Sequence, residues 1–253
     1  MGYFAARSAP FGLVPPEVVT AAFYNFTAER VAKSLLSAWE VSSPEEALRA
    51  RLDSAVEALR RYGVTDDEAA AAAELAEKAA RGAKVDGRPL FAANVALEWP
   101  DDPVARLWHA VTLLREHRGD GHIAVLVTLG VSGRESNVLH AAAGKVPTEM
   151  IMRSRDYDEE QWERYSGQLA DRGLLDSGGA LTDAGRDLKQ RIEDSTDQLA
   201  LSGLDSLDDD EVEKLFGALT PITRKVVAAG DVPAATPMGL GRDDLHDDSA
   251  HLR

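Results

Sequence analysis

The chain has 253 residues, 44% of them hydrophobic, with a net charge of −15 and no cysteine. That length allows one large or two ordinary globular domains. The missing cysteine excludes disulfides, thiolate metal ligands and cysteine nucleophiles, and the acid surplus opposes nucleic acid or an anionic membrane surface as a partner unless a local basic stripe exists.

No apolar run reaches the roughly 18 residues that a membrane span needs. Met1 to Arg7 lacks the apolar stretch of a secretion signal, so the cytoplasm is the default expectation.

Helix signals dominate in chain order. Thr27 predicts a cap for a helix with Val31, Leu35, Leu36 and Trp39 on one face. Ser43-Pro44-Glu45-Glu46 is a capping box that opens a helix to about Tyr62, and Thr65 to Glu68 is a second, opening an alanine-rich helix to Gly82. Pro89 starts a short helix that Pro100 ends. Asp102-Pro103 starts another, to about His117, with Leu107, Trp108, Val111 and Leu114 as its apolar face. Gly119-Asp120-Gly121 predicts a turn, with a short apolar helix after it to about Leu129.

Ser132 caps a helix ending at Gly144, Pro147 starts a short one, and Asp158 caps a longer one that stops at Gly173. Leu174-Leu175 and Ala180 to Thr182 flank Asp176-Ser177-Gly178-Gly179, which predicts a tight hairpin. Thr182 caps a helix with Leu188, Ile192, Leu199 and Leu201 as apolar positions. The last helix opens over Ser206 to Asp210, carries Leu215 and Leu219, is kinked or restarted by Pro221, and fades by Gly230. The expected organisation is a helical domain over 1–130, a second domain over 131–230 and a disordered tail over 231–253.

The passage Leu169 to Leu175, followed by Leu181-Thr182-Asp183-Ala184-Gly185, is similar to the recognition-helix-to-wing passage of MarR-type regulators. Ile192 to Asp197 and Leu215 to Leu219 extend the resemblance over roughly 135–229. It implies a mainly α fold whose C-terminal half is a winged helix with one small β-hairpin wing. It also implies a ligand pocket beside the reading head and a homodimer through the last two helices. The whole chain resembles a family of mostly uncharacterised helix-turn-helix proteins. Phe4 to Pro10, Phe23-Tyr24-Asn25-Phe26, Gly87 to Leu90 and Leu113 to His122 carry that likeness.

The helix that would read DNA begins Asp156-Tyr157-Asp158-Glu159-Glu160-Gln161-Trp162-Glu163. Five carboxylates stand where a duplex would approach, and the 176–179 turn has no cation. Acidic residues at a helix start also suit the helix dipole, but they oppose phosphate. Arg153, Arg155, Arg164 and Lys145 are the available basic patch. Nucleic acid is therefore a disfavoured partner.

The densest mixture of titratable types is Arg115-Glu116-His117-Arg118-Gly119-Asp120-Gly121-His122. Helical spacing puts His109 on the face of Glu116. Paired arginines suit a ligand carboxylate or phosphate, and Tyr24 and Asn25 offer polar handles among aromatics. The expected ligand-binding set is Tyr24, Asn25, His109, Arg115, Glu116, His117, Arg118, Asp120 and His122, with a small molecule as partner. The alternative is a salt-bridge network that pins helices together. A cofactor-free enzyme using a His and carboxylate pair from 109–122 is a further alternative. Metal spacing is absent, His140 reads as a packed core residue, and no nucleotide-binding or nucleophile-elbow motif points to a cofactor.

Overall fold

Capping chemistry sets most of the helix starts in the computed structural model, which describes residues 2–144, 146–233 and 236. Lys145 and most of the expected tail, with His246 and His251, lie outside the described residues. Twelve α-helices are present among them, and no β-strand. They are α1 Gly2–Ser8, α2 Pro16–Phe23, α3 Ala28–Trp39, α4 Pro44–Arg61, α5 Asp66–Gly82 and α6 Pro89–Val95. Then come α7 Pro103–Thr128, α8 Gly133–Ala142, α9 Thr148–Arg155, α10 Glu159–Asp171, α11 Asp183–Leu201 and α12 Asp209–Ala228.

Reciprocal capping boxes start α4, α5, α8 and α12 from Ser43, Thr65, Ser132 and Asp208. Thr27, Asp102, Asp158 and Thr182 cap α3, α7, α10 and α11. Each such cap is worth about 1 kcal/mol. No helix among the described residues is long and apolar enough to cross a membrane.

The structure corrects the expected turn at 119–121. α7 runs unbroken for 26 residues through Gly119, Asp120 and Gly121, about 39 Å at the helical rise. It is the central helix, in contact with α4, α5, α6 and α11, and so it buries residues all round. A glycine inside a helix costs about 1 kcal/mol against alanine. At Gly121 the neighbour explains it: a Cβ there would lie 2.6 Å from Nη1 of Arg88 and 3.4 Å from Cβ of Leu199. Buried Arg88 uses that gap, donating to the carbonyls of His117 on α7 and Leu199 on α11.

The main core joins the alanines of α5 (Ala69, Ala72, Ala73, Ala76) to Val104, Leu107 and Ala110 of α7. Leu215 and Ile222 of α12 close it. Small α5 side chains let α5 approach α7 closely. A second core gathers Leu126, Val138, Leu139, Leu169, Leu175, Leu181 and Ile192 from α7, α8, α10, the chain after it, and α11. In a third, Phe4 meets Phe26 edge-on and Phe23 at a tilt.

Several apolar positions differ from expectation. Leu36 is 63% exposed and Leu201 is 64% exposed, because α3 and α11 are covered along narrower stripes than the apolar pattern spans. α12 continues through Pro221 as one helix. The expected hairpin is one antiparallel bridge, Leu175 to Leu181. The Asp176 side chain takes the amides of Gly178 and Ala180, so the chain turns at once. Thr182 then begins α11, leaving no length for a ladder.

Candidate functional site

The polar middle of α7 divides into two sets that face opposite ways. Glu116 is 1% exposed. Arg7 of α1 holds it bidentately, Nε to Oε1 at 2.9 Å and Nη2 to Oε2 at 2.7 Å, and Arg115 donates to the same carboxylate. Burial works against the Arg7 charge, yet the Glu116 pair outweighs it and raises the guanidinium further above its ordinary value.

Asp120 is also buried. Its Oδ2 accepts the Phe91 amide at 2.8 Å, and it supplies from α7 the cap that Arg88 does not give α6. Burial pushes its carboxyl up to about 6.

His117 and His109 are closed in. His117 meets Phe91 edge-on at 5.1 Å, and His109 meets Trp99 at 4.7 Å. Each Nε2 is buried without a partner. Burial lowers both to about 4, aided by Arg88 at His117 and by Arg51 and Arg81 at His109. Both rings are neutral at pH 7. His109 and Glu116 share a helical spacing, but the structure does not bring them together: one meets Trp99, the other Arg7. Among the described residues no group of three or more His, Asp or Glu is placed to hold a metal.

Arg118 and His122, one turn apart, face the other side. They border a cleft of about 300 Å³ between α7, α8 and α11, with Leu126 below them. α8 contributes Asn137 and His140, α11 contributes Lys189 and Glu193, and Asn25 and Arg155 close the rim. His122 Nδ1 lies 2.9 Å from Thr196 Oγ1.

The Asn25 corner is tightly built. Tyr24 has φ +30°, a region side chains rarely adopt. Its hydroxyl donates to the Val131 carbonyl at 2.8 Å, so it points away from the cleft. Gly133 starts α8 against this corner. A Cβ there would stand 1.9 Å from the Tyr24 carbonyl oxygen. Asn137 donates to the Asn25 carbonyl at 3.0 Å and lies 3.1 Å from the Tyr157 hydroxyl. Tyr157 in turn donates to the Arg134 carbonyl. Burial pushes Tyr157 up to about 12.

Of the residues expected from sequence, Asn25, Arg118 and His122 share the cleft. His109, Glu116, His117 and Asp120 lie among the helix contacts outside it, and Arg115 is exposed while reaching Glu116. Arg155, Asn137, His140, Lys189 and Glu193 line the cleft and were not in the expected set. Two signals were present. Read as one helix, 103–128 places Arg118 and His122 on one face, and Lys189 and Glu193 repeat that spacing on α11.

The chain belongs to a helix-turn-helix family, whose model matches residues 1–233. No curated protein and no solved structure matches it.

Proposed function

We propose that this member of the helix-turn-helix family binds a small molecule in the cleft between α7, α8 and α11. In this reading α8 to α10 and the 176–179 turn form a winged-helix head like that of MarR-type regulators. The cleft then sits where a helical N-terminal domain, 1–130, meets the head domain, 131–230. The observation that carries the reading is the unused polar capacity at the rim. Arg155 has a buried Nε with no hydrogen-bond partner and no ion pair among the described residues, beside a cleft large enough for a small ligand.

The test is a fragment screen read by backbone amide shifts. Ligands of the cleft are expected to move Asn25, Asn137 and His122 together and to lose affinity in Arg155→Ala. Fragments that bind only elsewhere would overturn the reading.

A ligand-responsive DNA-binding regulator is the second reading, favoured by the family itself. The exposed face of α10 opposes it. Glu159, Glu160, Glu163 and Asp171 are exposed there, against Arg164 as the exposed cation. Of the candidate basic patch, Arg155 turns inward over the Phe26 ring at 4.4 Å and Arg164 lies over Tyr165 at 5.0 Å. Duplex binding is expected to be weaker than about 10 μM even at low salt. Tighter binding that falls steeply with salt would establish the regulator instead. The homodimer implied by the MarR resemblance would need a surface other than the Leu215 and Ile222 face of α12, which packs inside the chain.

A further inference from the structure

Thr196 stands beside one ring nitrogen of His122 and favours one of its two neutral tautomers. The Thr196 side chain is fully buried, and its hydroxyl donates to the Ile192 carbonyl at 2.7 Å. A hydroxyl has one proton to give. With that proton committed, Oγ1 accepts from His122 Nδ1 at 2.9 Å. Neutral His122 therefore carries its hydrogen on Nδ1 and presents a bare lone pair at Nε2. Nε2 makes no hydrogen bond among the described residues and is not shut away from solvent. His122 is one of the residues that line the cleft.

The charged and titratable groups around it come from every packed element. Arg118 stands on α7, His140 on α8, Arg155 at the end of α9, and Lys189 and Glu193 on α11. Lys189 pairs with Glu193, and Arg118 reaches Asp197 at 3.1 Å across exposed surface. Three cations thus meet a single cleft carboxylate in a chain whose net charge is −15. Burial lowers the His122 imidazole. Glu193 opposes that, and Arg118, Lys189 and His140 add to it. Burial is the larger cause of the ring's neutrality, and the neighbouring cations add to it by repelling a further proton.

We propose that the cleft takes a ligand bearing an oxyanion group (a carboxylate, phosphate or sulfate) seated against Arg155 and its neighbouring cations, and that its arrival protonates His122. The proton comes from solvent and binds Nε2, which then donates to the oxyanion. Nδ1 keeps its hydrogen bond to Thr196 in both states, so the ring need not turn. The anion offsets the repulsion from the cations and gives the partly buried imidazolium a charged hydrogen-bond partner, which counters the cost of burial. This inference rests on the cleft being the ligand site.

Inorganic sulfate is the probe, because its own charge is constant near neutral pH. Binding one proton with each anion makes affinity fall about tenfold per pH unit above the His122 pKa of the free protein. The wild-type imidazole nitrogens, followed by NMR, are expected to show hydrogen on Nδ1 alone without sulfate and on both nitrogens with it. Glutamine at 122 (His122→Gln) is expected to flatten the pH dependence and keep the weaker high-pH binding. Arg155→Ala is expected to weaken sulfate at least tenfold at every pH and keep the slope. Affinity independent of pH, or neutral His122 with its hydrogen on Nε2, overturns the proposal. If neutral fragments move the cleft amides and sulfate does not, the oxyanion inference fails while the ligand site stands. If neither class binds, both fall.

Discussion

Replacing Gly121 with alanine puts a methyl 2.6 Å from Nη1 of Arg88. The obstruction sits on a helix backbone, so the guanidinium must leave. It then loses its bonds to the carbonyls of His117 and Leu199. Bonds from a charged donor contribute about 1.5–3 kcal/mol each. Alanine returns about 1 kcal/mol of helix propensity. The net expectation is a loss of roughly 2–5 kcal/mol of stability.

Gly119 is the control two residues away on the same helix. A Cβ there meets nothing closer than 3.7 Å, so Gly119→Ala is expected to stabilise by about 0.5–1 kcal/mol. Urea denaturation of the two variants gives opposite signs if this account is right. In an Arg88→Ala background the Gly121→Ala change is expected to turn stabilising, since the clash is gone. A Gly121→Ala protein as stable as the parent would refute the reasoning. So would equal destabilisation by both substitutions, which is the result a 119–121 turn would give.

Arg7→Ala leaves Glu116 buried with Arg115 alone and is expected to cost about 3 kcal/mol; an unchanged denaturation midpoint would show the pair to be dispensable. The pH dependence has two opposed parts. His109 and His117 are depressed to about 4, so the stability their neutral forms contribute is complete above about 6.5 and is lost as pH falls towards 4, by on the order of 3 kcal/mol each. Asp120 is raised to about 6, so the folded state holds a proton that the unfolded chain releases, and stability rises as pH falls from 6 to 4. Asp120→Asn keeps an acceptor for the α6 amides and removes that gain, so its acid-induced loss of stability between pH 6 and 4 is expected to be steeper than the parent's. Parallel curves for the two proteins would show that Asp120 titrates normally. Asp120→Ala also removes the cap of α6, an additional cost of about 1 kcal/mol that is read at pH 7 against the asparagine variant.

Helix starts were legible in the sequence because a cap is settled within four residues. Thr27, Ser43, Thr65, Ser132, Asp158 and Thr182 each stand where the structure begins a helix. The mainly helical class followed from those caps and the apolar spacing between them. Buried faces were legible only in part. Periodicity marked Val31 and Leu35 correctly, but it also marked Leu36 and Leu201, since it does not say how wide a neighbour will cover.

The candidate site was legible as a region and not as an arrangement. Gly119 and Gly121 look like a turn because local preference is all that sequence displays there. What keeps α7 helical is its enclosure by α4, α5, α6 and α11, with Arg88 seated against Gly121. Glu116 meets Arg7 across 109 positions, and Thr196 orients His122 across 74. No local rule joins residues so far apart. Capping and propensity act along the chain and were determined by sequence alone. Which polar groups are sealed inside, and which open on the cleft, was decided by helix packing, because burial and hydrogen-bond partners exist only once distant segments meet.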